Sequence, residues 1–202
     1  KNKGRHIIIS QIEHPCIMES AKWLELPASP AGGQGFEITR IAVDKFGQVS
    51  TKDIQEAIKK DTILVSVIHA SNEIGTIQPI AEIGKICKEK GVYFHTDCAQ
   101  SFGKIPIDIN LMNIDLLTAS SHKMYGPKGV GLLYVRKGTR IEPILHGGGQ
   151  ESGLRSSTIN VAAIVGFAEA CRIAKKEMKK EAERLTKLKD KLIKGILTKI
   201  PG

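Results

Sequence analysis

The segment TILVSVIHASNEIGTIQPIAEIGKICKEKGVYFHTD, residues 62–97, decides the fold class. Its β-branched start predicts a strand over 62–70, and its apolar end predicts a second strand over 92–96. Between them, Pro79 is expected to open a helix at its first turn and Gly91 to end it, because these residues suit those positions. A helix between two strands carries the chain back to the edge where the first strand began, so the strands pair in parallel.

The same alternation of strands and helices extends outward from this segment. Further strands are predicted over 6–10, 36–43, 115–119 and 131–136. Helices are predicted over 16–26, over 50–60 and from Asn160 onward, and a loop rich in Pro and Gly covers 27–35. We therefore expect an α/β protein whose mostly parallel sheet carries helices on both faces.

Two regions are expected along the chain. Residues 1–158 are predicted to form the sheet domain, and 159–202 one long helix that leaves it. The chain begins almost inside a strand and stops just after the helical pattern. We therefore expect an internal fragment of a longer protein, incomplete at both ends.

The formal net charge is +9, and most of it lies near the end of the chain, where residues 172–199 hold eleven Lys or Arg and four Asp or Glu. A basic helix can bind nucleic acid or an acidic partner, but this one lacks interleaved aromatic residues on which bases would stack. We expect a solvated helix face and no direct nucleic-acid binding. No apolar stretch approaches the ~20 residues of a membrane-spanning helix, so no membrane partner is expected.

The chain has four cysteines, Cys16, Cys87, Cys98 and Cys171, and no CxxC pair. This spacing indicates neither a zinc site nor a disulfide framework. Free thiols suit a reducing compartment, either the cytoplasm or the inside of an organelle. We expect all four to be small buried hydrophobic residues.

Polar residues follow the predicted strand ends. Ligands of parallel sheets collect at the carboxyl ends of the strands, so these residues are expected to form the site. They are His14, Asn72, Asp97, Gln100, Ser120, His122 and Lys123.

Lys123 and Asp97 carry the clearest chemical signals. A lysine that is desolvated beside a ligand crevice can form a Schiff base, although a lysine in a turn is more often an ordinary surface residue. An acid at the end of a buried strand is costly unless a cation pairs with it. A protonated pyridine nitrogen would be such a cation. The alternative for Asp97 is a cap on the next helix.

His14 and Asn72 each have an ordinary explanation beside the functional one. The flat ring of His14 could stack on a flat cofactor, or it could simply start a helix. Asn72 could donate to a carboxylate or a phenolic oxygen, or serve as a turn residue.

Five motifs in order are more specific than any single residue. They are EHP at 13–15, SNEIGT at 71–76, HTDCAQ at 95–100, SSHKMYGPKGVG at 120–131 and GGGQESGLRSST at 147–158. Together they resemble the NifS/IscS-type cysteine desulfurases of the class V aminotransferase family. The resemblance spans nearly the whole chain and implies the fold-type I architecture of enzymes that use pyridoxal 5'-phosphate (PLP). It also implies that the long helix leads to a small C-terminal domain.

The resemblance assigns the central roles. Lys123 would hold PLP as a Schiff base and later move protons. Asp97 would pair with the pyridine nitrogen, and His14 would stack on the ring.

The resemblance also assigns the surrounding contacts. Gln100 would hydrogen-bond the phenolic oxygen, and Asn72 would lie near that oxygen and the substrate carboxylate. Ser120 and His122 would hold the phosphate. Thr158 would reach the phosphate of a neighbouring subunit's cofactor, because family members are homodimers.

The implied reaction converts L-cysteine to L-alanine and leaves persulfide sulfur for an acceptor or scaffold protein, which supplies iron–sulfur clusters or thiolated cofactors. None of the cysteines lies in a pattern like the family's mobile persulfide loop, so we expect these 202 residues alone to be inactive. Cys98 and Ser152 stand where the family more often has other residues. The alternatives are another class V enzyme, such as a selenocysteine lyase or aminotransferase, and a non-catalytic dimerisation or docking module.

Overall fold

The computed structural model describes residues 4–28 and 34–200, so most of the predicted loop over 27–35 lies outside the described residues. The strands are β1 His6–Ser10, β2 Glu37–Ile41, β3 Thr62–Ser66, β4 Tyr93–Asp97, β5 Leu116–Ser120 and β6 Gly131–Val135. The α-helices are α1 Pro15–Glu25, α2 Thr51–Ala57, α3 Ile80–Lys90 and α4 Val161–Lys199. Single 3₁₀ turns cover Ser121–Met124, here called the Lys123 turn, and Glu151–Gly153.

The strands form one six-stranded sheet in the order β2-β1-β3-β4-β5-β6. Every neighbouring pair from β2 to β5 is parallel, and β6 is antiparallel to β5 at the edge. The predicted fold class, a mostly parallel α/β sheet, is therefore confirmed.

Both faces of the sheet are covered, which explains why the central strands carry apolar side chains on both faces. Ile8 of β1 belongs to the larger core cluster, with Val65, Phe94 and the helix residue Ile83. Its neighbours Ile7 and Ile9 point to the other face, where they pack with Ala21 of α1. Successive residues of a strand alternate between faces, so a strand buried on both faces has no polar side.

Element boundaries differ from the sequence prediction by a few residues. The strand predicted over 62–70 is regular only to Ser66, although His69 still donates its N–H to the Asp97 carbonyl at 2.9 Å. Pro79 is the N-cap of α3 and not its first residue, which corrects the prediction by one position. Gly91 ends α3 in the left-handed conformation with φ 69°, as its position indicated.

Helix α4 begins against the sheet domain and continues beyond it. Its buried Phe167 meets Phe102 edge-on, with ring centroids 6.4 Å apart. Farther along, the basic stretch is exposed, as the expected solvated face requires, and it also carries large exposed apolar side chains. These are Leu185, Leu188, Leu192, Ile193, Ile196 and Leu197. The domain boundary between 158 and 159 stays a prediction.

Two helical glycines give opposite expectations for the same substitution. A Cβ on Gly84 of α3 would lie 1.9 Å from the Met112 carbonyl oxygen, whereas a Cβ on Gly195 of α4 would meet nothing within 4 Å. Gly84→Ala should cost about 1–3 kcal/mol of unfolding free energy, because the backbone must move. Gly195→Ala should be neutral or stabilise by up to about 1 kcal/mol. Urea denaturation of the full-length protein measures both, and a stabilising Gly84→Ala would show that α3 does not pack so closely.

Candidate functional site

Parallel pairing places Asp97, Ser120 and the Lys123 turn at the same edge of the sheet. Asp97 is the last residue of β4 and pairs in register with Thr118 of β5. Ser120 ends β5, and the Lys123 turn follows it directly. The acid and the lysine therefore lie on neighbouring strand ends.

The Asp97 side chain is buried, with 6% exposed, and only half of its carboxylate is satisfied. Oδ1 accepts hydrogen bonds from the Ala99 N–H at 2.8 Å and the Thr118 hydroxyl at 3.3 Å. Within the described residues nothing donates to Oδ2, and no Lys or Arg forms an ion pair with Asp97. A buried carboxylate without a cation suits a ligand that brings its own positive charge.

The Lys123 turn presents polar groups beside this carboxylate. Lys123 and His122 are exposed, and the His122 Nδ1 lies 3.0 Å from the Ser120 hydroxyl. The turn is tightly built: a Cβ on Gly126 would lie 2.2 Å from the buried Ser121 hydroxyl. Burial lowers the pKa of Lys104, and the charge of Lys123 contributes to that shift.

His14 is exposed and is the N-cap of α1. Its Nδ1 accepts a hydrogen bond from the Cys16 N–H at 3.3 Å and lies 3.1 Å from the Cys16 sulfur. The helix-start explanation therefore holds. Its exposed ring also leaves the stacking role possible, and that role stays a prediction.

Glu13 is a buried acid to which sequence reasoning gave no role. It is buried, and its Oε1 accepts from the Ser10 hydroxyl at 2.6 Å and the Ile68 N–H at 2.7 Å. Its Oε2 is buried without a hydrogen-bond partner among the described residues. Burial raises the pKa of Glu13 to about 7, and the charge of Asp97 adds to the rise. Its place directly before His14 in the EHP motif was the available signal.

The remaining predicted residues make no described hydrogen bond with Asp97. Gln100 is half-buried just after β4, Asn72 is exposed in the turn between Ala70 and Ile77, and Thr158 is exposed before α4. In the part of the chain that the structure describes, no hydrogen bond joins any of these three to Asp97. Their roles stay predictions.

The cysteines divide into two groups, which corrects the expectation that all four are buried. Cys87 and Cys98 are buried, Cys171 is half-buried and Cys16 is exposed. Burial raises the pKa of Cys98 to about 11, so its thiol is a poor source of thiolate beside Asp97.

Residues 4–28 and 34–200 contain no second site of the metal-binding or membrane-spanning kind. No group of three or more His, Cys, Asp or Glu there is arranged to hold a metal ion. No helix in those ranges combines the length and apolarity needed to cross a membrane. A cleft of about 710 Å³ lies between α4 and the Lys104–Pro106 segment, and none of the predicted site residues lines it.

The sheet and its carboxyl edge define a class of protein. They form a doubly covered parallel α/β fold with an uncompensated buried acid and a lysine turn where such folds bind ligands. A family model described as aminotransferase class-V matches residues 1–202, and the chain belongs to that family.

Individual proteins of known name or structure are similar to this chain. The chain is 52% identical over 201 residues to the cysteine desulfurase IscS of Clostridium botulinum, covering 100% of this chain and 49% of the relative. A solved NifS-like protein superposes with a TM-score of 0.91 at 40% identity, covering 98% of this chain and 53% of that one. A structure described as SspA in complex with cysteine gives 0.78 at 44% identity, covering 85% and 48%.

These matches confirm the predicted family resemblance and the fold-type I architecture. The chain spans about half the length of the relatives it matches.

The buried acid Glu13 predicts a pH dependence of stability. Folding raises its pKa from 4.5 to about 7, so the unfolded chain loses this proton first as the pH rises. Stability should therefore fall between about pH 4.5 and 7 by about 3 kcal/mol and then level off. Glu13→Gln should remove this fall, measured as unfolding free energy against pH. The matched control is Glu73→Gln at an exposed position. Parallel pH curves for wild type and Glu13→Gln would contradict the assignment.

Proposed function

We propose that the protein is a PLP-dependent cysteine desulfurase, which removes sulfur from L-cysteine and leaves L-alanine. The observation that carries the proposal is Asp97, a buried carboxylate with an oxygen that no described cation satisfies. The relatives support the substrate: one is named a cysteine desulfurase, and a similar structure is described in complex with cysteine.

The residues at the strand ends fit PLP. The Oδ2 oxygen of Asp97 would hold the positive pyridine nitrogen, because an unpaired buried carboxylate gains most from a charged donor. The Ser120 hydroxyl and the His122 imidazole, 3.0 Å apart, would donate to the phosphate. When bound, PLP supplies an electron sink for the bond broken at the substrate's α-carbon.

The other residues would orient the cofactor and move protons. Lys123 would bind the cofactor and take the proton from the substrate's α-carbon, which its flexible side chain allows. His14 would stack its exposed ring on the cofactor and exclude water from one face. Gln100 would donate to the phenolic oxygen, and Asn72 would lie near that oxygen and the substrate carboxylate.

The proposed protein also has partners and a cellular location. Thr158 would reach the cofactor phosphate of a second copy in a homodimer, and the exposed Tyr125 and Ile144, at 96% and 91%, are apolar surface that a second copy would cover. An acceptor or scaffold protein would take the sulfur, in the cytoplasm. Residues 1–202 alone are expected to release no sulfide from cysteine.

Lys123 should be the lysine that carries PLP. Borohydride reduction of the PLP-loaded full-length protein, followed by peptide mapping, should find the label on Lys123, because this lysine alone directly follows the strand next to Asp97. Lys123→Ala should lose the label, whereas Lys128→Ala, in the same exposed loop, should keep it. A label on Lys128 or Lys104 with Lys123 clean would refute the assignment. A protein with no label and no PLP absorbance would support the docking-module alternative.

Asp97 should control the rate of the reaction. Asp97→Ala should lower kcat for L-cysteine by about 10²–10³, since one preorganised electrostatic contact is worth about 3–4 kcal/mol at the transition state. Asp61→Ala, an exposed acid just before β3, is the control and should leave kcat unchanged. Sulfide release from cysteine measures both. A rate for Asp97→Ala within a few-fold of wild type would exclude the role.

A further inference from the structure

We propose that Ser66, His95 and Thr118 form a one-directional hydrogen-bond chain that ends on Asp97 and orients its carboxylate, with His95 as a positioning residue. The proposal rests on the proposed function for what Asp97 binds. It adds residues to which neither the motifs nor the comparisons give a role.

The chain of contacts crosses three adjacent strands. The Ser66 hydroxyl of β3 lies 2.8 Å from His95 Nδ1, and the two residues pair in register. His95 Nε2 of β4 lies 3.4 Å from the Thr118 hydroxyl of β5, which lies 3.3 Å from Asp97 Oδ1. His95 is buried, and both of its ring nitrogens meet hydroxyl groups.

The carboxylate at one end and the neutral ring of His95 fix the direction of every hydrogen bond. An ionised carboxylate only accepts, so Thr118 must give its single proton to Asp97. The Thr118 oxygen then accepts from His95, which requires the proton on Nε2. Burial lowers the pKa of His95 to about 4, so the ring is neutral and Nδ1 carries no proton. Nδ1 therefore accepts from the Ser66 hydroxyl.

Holding the strands together does not require this chain. The backbone of β4 already accepts from the segment that follows β3, through the Val67 N–H to the His95 carbonyl at 3.1 Å and the His69 N–H to the Asp97 carbonyl at 2.9 Å. On the β5 side, the Cys98 N–H donates to the Thr118 carbonyl at 2.9 Å. The side chains add a second fixed donor to the carboxylate oxygen that already accepts from the Ala99 N–H. With Oδ1 held by Thr118 and the Ala99 N–H, Oδ2 is left to face a ligand.

The tautomer of His95 tests the direction of the chain without any cofactor. In the full-length, cofactor-free protein near neutral pH, ¹⁵N NMR of the histidine rings should show His95 neutral with the proton on Nε2. Thr118→Val should shift the Nε2 signal, and Thr118→Ser should restore it. His69, whose Nδ1 lies 2.9 Å from Ser101, is the internal reference and should not change. A proton on His95 Nδ1, or a charged ring, would overturn the proposal.

The affinity for PLP tests the effect on Asp97. Thr118→Val should weaken PLP binding about tenfold, since hydrogen bonds to charged groups are the stronger ones, and Thr118→Ser should recover most of the loss. Thr96→Val is the matched control: a buried threonine of β4 is replaced in the same way, and among the described residues its hydroxyl contacts the Cys98 sulfur and not the Asp97 carboxylate. Equal losses for the two valine variants would reduce Thr118 to a packing role and overturn the proposal.

The two measurements separate failure of the chain from failure of the proposed function. If the wild-type protein binds no PLP, the proposed function fails, and the His95 tautomer still decides whether the chain exists. If PLP binds and Thr118→Val binds it equally well, the orienting role is overturned while the function stands.

Discussion

Parallel pairing of β1, β3, β4 and β5 is the constraint on which the rest of the structure depends. Each return helix must cross a face of the sheet, so both faces are buried and the strands carry apolar side chains on both faces. Polar side chains without a hydrogen-bond partner in the sheet are then energetically tolerated only where a strand ends. All four strands end at the same edge. The site is therefore a consequence of the topology, and the loops after the strands supply its chemistry.

Burial of both faces also means that polar residues inside the strands need hydrogen-bond partners within the sheet. His6 is fully buried, and its two ring nitrogens lie 2.7 Å and 2.8 Å from the hydroxyls of Thr62 and Thr39. Burial lowers the pKa of His6, of His69 and of His95, so all three rings favour the neutral form. A neutral ring that donates with one nitrogen and accepts with the other can be satisfied by hydroxyls alone. These sites avoid the larger cost of a buried charge.

The sequence predicted the parts of the molecule that depend on local pattern. The strand–helix–strand unit over 62–97 was enough to infer parallel pairing and hence the edge where Asp97 and Lys123 lie. Thr118 was not predictable, because its contact with Asp97 depends on the register between strands 21 residues apart in the chain. The exposure of Cys16 was missed for a similar reason, since it depends on which face of α1 packs on the sheet.

Asp97 and Lys123 differ in how far the described residues enclose them. Asp97 is buried by its own sheet, whereas Lys123 is exposed on a turn that precedes the exposed Tyr125. A lysine that binds a carbonyl cofactor must lose its proton readily, and exclusion of water is one way to achieve this. The sheet alone is therefore enough to bury the carboxylate of Asp97. Under the proposed function, enclosure of the lysine would come from a surface packed over the turn, and the exposed ring of Tyr125 is a surface that such a contact would cover.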